Sequence, residues 1–104
     1  MHISLNLSPV AKRDILDISD YYAEVSVALA ERFVEELQRS LHGLTQHPDK
    51  GSRRYAHLLP DRSLRTWPLD RFPYLLFYRS HDETLKLLRV LHERRALTRK
   101  LMKH

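Results

Sequence analysis

Residues 74–92, YLLFYRSHDETLKLLRVLH, constrain the fold more than any other stretch of the chain. Two runs rich in aromatic and branched apolar residues flank the polar turn SHDE at 80–83, which is the pattern of a β-hairpin. A strand with one wet face alternates apolar and polar side chains. Here both faces are apolar: Leu85, Leu87 and Leu91 lie on one side of the second run, Leu88 and Val90 on the other. A sheet built from these strands needs cover on both sides. The chain has 104 residues, enough for a single domain over 1–104 that buries roughly 65% of its unfolded surface.

Cover for one side is legible upstream. HISLNL alternates as a short strand, and SP follows it: Ser8 is placed to cap a helix, with Pro9 at its first turn. Val10, Ile15, Ile18 and Tyr22 then share a helical stripe, while Asp14, Asp17 and Asp20 form an acidic row expected to be a solvated face or a contact for a partner's basic residues. After a break at EVSVA, with Ser26 as a second cap, Ala30, Phe33, Val34, Leu37, Leu41 and Leu44 trace the strongest helix, ending near Pro48. Residues 49–63 read as a loop interrupted by the apolar YAHLL, and LRTWPL as a weaker strand whose Pro68 suits an edge. The expected fold is α+β: an N-terminal strand, a helical hairpin on one face of a mostly antiparallel sheet, then three antiparallel strands, with room for a short closing helix over 94–102. The other face of the sheet is left for the C-terminal segment or another chain to cover.

Charge is partitioned along the chain. Residues 1–49 hold four Lys/Arg against eight Asp/Glu, a net of −4; residues 50–104 hold 14 against five, a net of +9. The basic half favours an anionic partner. With no cysteine there is no disulfide, thiolate nucleophile or zinc finger, and a reducing cytoplasm fits. The N-terminus has no secretory pattern, and no apolar run approaches a membrane span of about 20 residues. His42 and His47 do not converge as metal ligands, and Gly43 and Gly51 are too few for a phosphate-cradling loop, so no metal or cofactor is expected.

LSPVAKRDILDISDYYAE at the first strand–helix junction and LRTWPLDRFPYLLFYRSHDETLKLLRVLHERRAL carry a resemblance to the RelE/ParE superfamily of type II toxins, over nearly the whole length. Leu64–Arg65, Tyr74 with Tyr78, and Arg89–His92 stand in the order of that family's motifs. The resemblance implies the same α+β fold and a cognate antitoxin that wraps a segment around the helices and the sheet. It also implies one of two activities: ParE-like poisoning of DNA gyrase, or RelE-like cleavage of messenger RNA on the ribosome.

Cleaving RNA through its 2′-OH requires a proton acceptor, a proton donor and cations on the phosphate. His92, Arg65 and Arg89 are the candidates for that chemistry. The nuclease branch usually adds an aromatic at or beyond the last strand, and this chain has no Phe, Trp or Tyr after Tyr78. HERRAL stands there instead, and R-V-L-H-x-x-R resembles the ParE-like ending. The expectation is therefore a gyrase poison with no enzymatic activity of its own, with Arg65, Arg89, Arg94 and Arg95 as target contacts. In that reading His92 is structural. Arg89 has an open alternative, a strand arginine pinned by a carboxylate of the acidic first helix. A direct DNA-binding domain ranks third, because neither helix is basic enough to be a recognition helix.

Overall fold

The computed structural model describes residues 3–95. Their order is β1 (Ser4–Leu7), α1 (Pro9–Ala23), α2 (Val27–Gln46), β2 (Arg65–Pro68), β3 (Tyr74–His81) and β4 (Thr84–His92), with short 3-10 turns at Pro48–Lys50 and Ala56–Leu58. The α+β arrangement expected from the sequence is the one found. The sheet order is β1-β4-β3-β2, with β1 parallel to β4 and the other pairs antiparallel. The parallel pair follows from the connection, since the helical hairpin carries the chain back across the sheet between β1 and the later strands. The closing helix anticipated over 94–102 lies, from residue 96 on, outside the described residues.

Both helices start as their residues dictate. The Ser8 hydroxyl accepts from the Ala11 N–H at 3.0 Å, and the Ser26 hydroxyl accepts from the Leu29 N–H at 3.0 Å. The stripe of α2 is buried at Ala30, Phe33, Leu37, Leu41 and Leu44. It meets Leu76, Tyr78, Leu85, Leu87 and Val90 of the sheet in the main core. At about 1.5–3 kcal/mol for each large apolar side chain, this layer is the chief source of stability. Trp67 is half-buried against the same core, with the Lys50 ammonium 4.5 Å above its ring.

The second face of the sheet is covered from an unexpected quarter. Leu64, Phe77, Leu88 and Leu91 form a separate cluster packed by Tyr55, Leu58, Leu59 and Leu75. The loop that carries YAHLL folds back under the sheet, so the described chain supplies from its middle the cover anticipated from the C-terminus or from another chain. Tyr78 ties this loop down. Its hydroxyl donates to the Pro48 carbonyl at 2.7 Å and accepts from the Gly51 N–H at 3.0 Å. A side chain at Gly51 would collide with that hydroxyl, so glycine is required there for space. Glu36 clamps the β2–β3 turn in a similar way. Only 5% exposed, its carboxylate accepts the Asp70 N–H at 2.6 Å and the Arg71 N–H at 3.1 Å.

Tyr78→Phe is expected to cost about 1–3 kcal/mol in urea unfolding at unchanged m, because it leaves the buried Gly51 amide without its acceptor. Burial pushes the Tyr78 phenol up, and burial together with Tyr74 raises Tyr22 to about 12. In the unfolded chain Tyr22 and Tyr78 ionise near pH 10, whereas in the folded protein these two keep their protons to higher pH. Stability should thus be complete below about pH 10 and fall as pH rises toward 12. Tyr22→Phe should flatten that alkaline slope in a pH series of melting temperatures.

Candidate target-binding surface

The end of β4 is positioned by α1. β1 pairs with β4 only as far as Leu7 opposite Leu87, and the antiparallel ladder with β3 shifts register just beyond, leaving Leu88 as the extra residue of a bulge. Past that point no strand among the described residues neighbours the outer edge of β4, and the cap of α1 and a side chain within it take over. The Ser8 hydroxyl, fully buried, donates to the Leu88 carbonyl at 2.9 Å. The Asp14 carboxylate accepts the Val90 N–H at 3.0 Å and holds Arg89 through Nε at 2.9 Å and Nη2 at 3.1 Å.

Asp14 is therefore not part of a solvated acidic row. Its side chain is 12% exposed, that of Arg89 10%, and both close the open edge of the strand. Helical spacing could not separate Asp14 from Asp17 and Asp20, because the three recur every third residue on neighbouring turns of one helix. Only Asp14 sits at the height of the β4 bulge.

His92 ends β4. Its ring meets Tyr74 edge-on at 5.4 Å, and its Nδ1 accepts the Arg94 N–H at 3.1 Å, which places the ring proton on Nε2 in the neutral form. The chain then turns: Glu93 N–H donates to the Pro73 carbonyl and Arg95 N–H to the His92 carbonyl, both at 2.9 Å. Arg94 and Arg95 are exposed by this turn. A small hollow of about 180 Å³ beside them is lined by Asp14, Asp17, Tyr74, His92 and Arg95.

Arg65 lies elsewhere. It faces Tyr78 across β2–β3, whereas His92 faces Tyr74 from the other side of β3, four residues away along that strand and two strands from β2. Four residues of strand span about 13 Å. Its guanidinium donates to the carbonyls of Asp49 at 3.0 Å and Gly51 at 3.1 Å, with the Asp49 carboxylate at 3.6 Å. The structure thus brings Arg89, His92, Arg94 and Arg95 to one end of the sheet and leaves Arg65 apart.

A second surface was not singled out in the sequence. An apolar groove of about 610 Å³ runs between β1 and the helices, with Leu5, Leu7, Ile15, Leu37 and Leu41 among its walls. Leu5 is 44% exposed, and β1 is the edge strand of the sheet. Its signal was the alternation of HISLNL, whose apolar residues outnumber those the core consumes. Among the described residues there is no cluster fit to hold a metal ion, and no helix is long and apolar enough to cross a membrane.

Asp14→Ala should destabilise the fold by about 3–5 kcal/mol, because it strands a buried guanidinium. The pair Asp14→Asn/Arg89→Met should recover most of that loss, since the Asn oxygen still accepts the Val90 N–H and no buried charge remains. A double-mutant cycle in denaturant measures both effects.

A family model described as ParE toxin of type II toxin-antitoxin system, parDE, matches residues 5–97. No curated protein matches the chain. Among solved structures, one titled "Chromosomal ParDE TA system from P. aeruginosa" superposes with a TM-score of 0.73 at 24% identity, over 88% of this chain and 96% of that one. That likeness shows a shared fold, and the family match covers all four strands from Leu5 onward, both helices and the basic turn after β4. The chain belongs to the family of ParE toxins of type II toxin–antitoxin systems.

Proposed function

We propose that this chain, a single domain over 1–104, is a stoichiometric poison of DNA gyrase that acts in the cytoplasm and is neutralised by a cognate antitoxin. The carrying observation is how its cations are used. An RNA-cleaving centre needs proton-transfer groups and cations within hydrogen-bond reach of one phosphate. Arg89 is held by Asp14, Arg65 by loop carbonyls about 13 Å along the sheet from His92, and His92 by Tyr74 and the Arg94 amide. Arg65 does not converge with Arg89 and His92, and those two are each engaged by other groups. Arg94 and Arg95 remain exposed on a turn fixed by backbone hydrogen bonds, which suits contact with an anionic surface of a protein target. Arg89 supports that surface from behind by fixing the β4 edge.

The antitoxin's place in this reading is the groove between β1 and the helices. Its walls are mostly apolar, with Gln38, His42 and Thr45 at one side, and an edge strand stands beside it, so an incoming segment can gain main-chain hydrogen bonds along β1 and bury side chains against Leu37 and Leu41. A segment that folds on binding covers such a surface at low cost in its own size.

The test places the antitoxin-free protein in a plasmid supercoiling reaction with gyrase and, in parallel, in a translating ribosome system with end-labelled messenger RNA. Inhibited supercoiling with intact message is expected. Arg94→Ala/Arg95→Ala should weaken inhibition at least tenfold, about 1.4 kcal/mol or more, with an unchanged melting temperature. Cut message with unaffected gyrase would overturn the proposal.

A further inference from the structure

The outer face of the sheet carries a charge arrangement that the fold does not need. Arg79 of β3 and Lys86 of β4 stand directly opposite one another. Both point to the face carrying Phe77 and Leu75, since Arg79 is two and four residues from them along the strand. Directly opposed side chains on neighbouring strands lie about 5 Å apart at Cβ, and like charges there are destabilising. Among the described residues only one carboxylate is paired with either: Asp61, 3.8 Å from Arg79 and itself 61% exposed.

The neighbouring loop adds cations instead of offsetting them. Asp61 leads directly into Arg62, whose backbone sits at a φ of 57°, a left-handed conformation where asparagine or glycine would be cheaper. Arg53 reaches across to donate to the Arg62 carbonyl at 2.9 Å. Contacts along the loop and across the strands thus link Arg53, Arg62, Arg79 and Lys86, and of the nearby acids Asp61, Asp82 and Glu83 only Asp61 lies within 4 Å of one of these cations. This outer face is distinct from the end of β4 and from the groove beside β1.

We propose that this outer face, through Arg53, Arg62, Arg79 and Lys86, binds the phosphate backbone of duplex DNA. Lys86 lies on a strand flanked by β1 at Asn6 and by β3 at Arg79, so its main-chain groups are already engaged. No strand can be added there, and a ligand is met by side chains alone. That suits a polyanion recognised through its charge. Duplex DNA presents one charge per about 1.7 Å of axis, dense enough for several cations on one sheet face to act together. The inference stands apart from the gyrase reading: a chain that left gyrase untouched would still bind DNA on this face.

The experiment measures anisotropy of a fluorescein-labelled duplex of mixed sequence, titrated with the full-length chain between about 50 and 200 mM salt. Four neutralised phosphates give a log–log slope near −3.6, a weakening on the order of a hundredfold over that range. Arg79→Gln/Lys86→Gln should lower the slope by about 1.8, leaving roughly a tenfold weakening. Its melting temperature should stay level or rise, because an opposed like-charge pair is gone. Arg32→Gln/Arg39→Gln, on the exposed side of α2, should leave the slope as it was. Absence of binding at the lowest salt overturns the proposal, as does an equal loss from the α2 pair or a slope unmoved by the sheet pair. Oligoglutamate of matched charge binding as tightly as DNA would also overturn it, and would assign the face to acidic protein.

Discussion

The fold turns on the place where β1 stops and β4 continues. Beyond Leu87 the outer edge of β4 has no strand beside it among the described residues, and a bulge at Leu88 redirects its backbone groups. The cap residue of α1 and one side chain within the helix replace the missing strand. The Ser8 hydroxyl takes the Leu88 carbonyl while capping its own helix, and Asp14 takes the Val90 amide while holding Arg89. One helix end and one carboxylate therefore fix strand edge, helix orientation and arginine together. Exposed edges invite unwanted pairing, and a polar seal of this kind closes one without a further strand.

The ion pair inside that seal has an ambiguous energetic worth. Desolvating both charges offsets most of their attraction, so removing one partner is far more damaging than replacing both. What the pair contributes is placement. A leucine and a methionine could fill the same space, but they would not specify which turn of α1 faces the bulge. With Asp14 bound to both the Arg89 guanidinium and the Val90 amide, the helix cannot slide along β4 without breaking several charge-assisted bonds at once. The turn carrying Arg94 and Arg95 inherits that fixed position through the His92 and Pro73 carbonyls.

Much of this was legible in the residues. The stripe from Ala30 to Leu44 forms one long helix, Ser8 and Ser26 cap as their positions require, and SHDE makes the hairpin with Asp82 and Glu83 in left-handed conformations. The strands' double apolarity demanded two layers of cover, and two were found. The second layer was illegible because YAHLL is too short for periodicity to assign, and what decides its place is a distant hydroxyl, Tyr78, reaching Pro48 and Gly51. Glu36 was hidden for a similar reason. It sits three residues from Phe33, on the buried flank of α2, where a carboxylate survives only because the Asp70 and Arg71 amides meet it. At the candidate surface, composition signalled the arginines but not their partners. Which cations are engaged and which are presented depends on tertiary register, and the register is set by the bulge.

Charge partition along the chain reads differently once folded. The acidic first half and the basic second half are not separate territories, since Asp14 reaches Arg89 and Asp49 reaches Arg65. These internal pairs withdraw two arginines from the surface and sort the remaining basic groups by location. One set lies on the turn after His92. The other lies near Lys86, six residues back along β4, or about 20 Å along the strand. Screening at physiological salt reduces Coulomb forces over about 8 Å, so the two sets act as independent surfaces. A protein that stabilises an enzyme caught on its DNA must lower the free energy of the assembly relative to its separated parts. On the gyrase reading and the DNA-binding face proposed above, two cationic surfaces would do so by touching the enzyme with one and the phosphate backbone with the other, since each contact raises the effective concentration of the second.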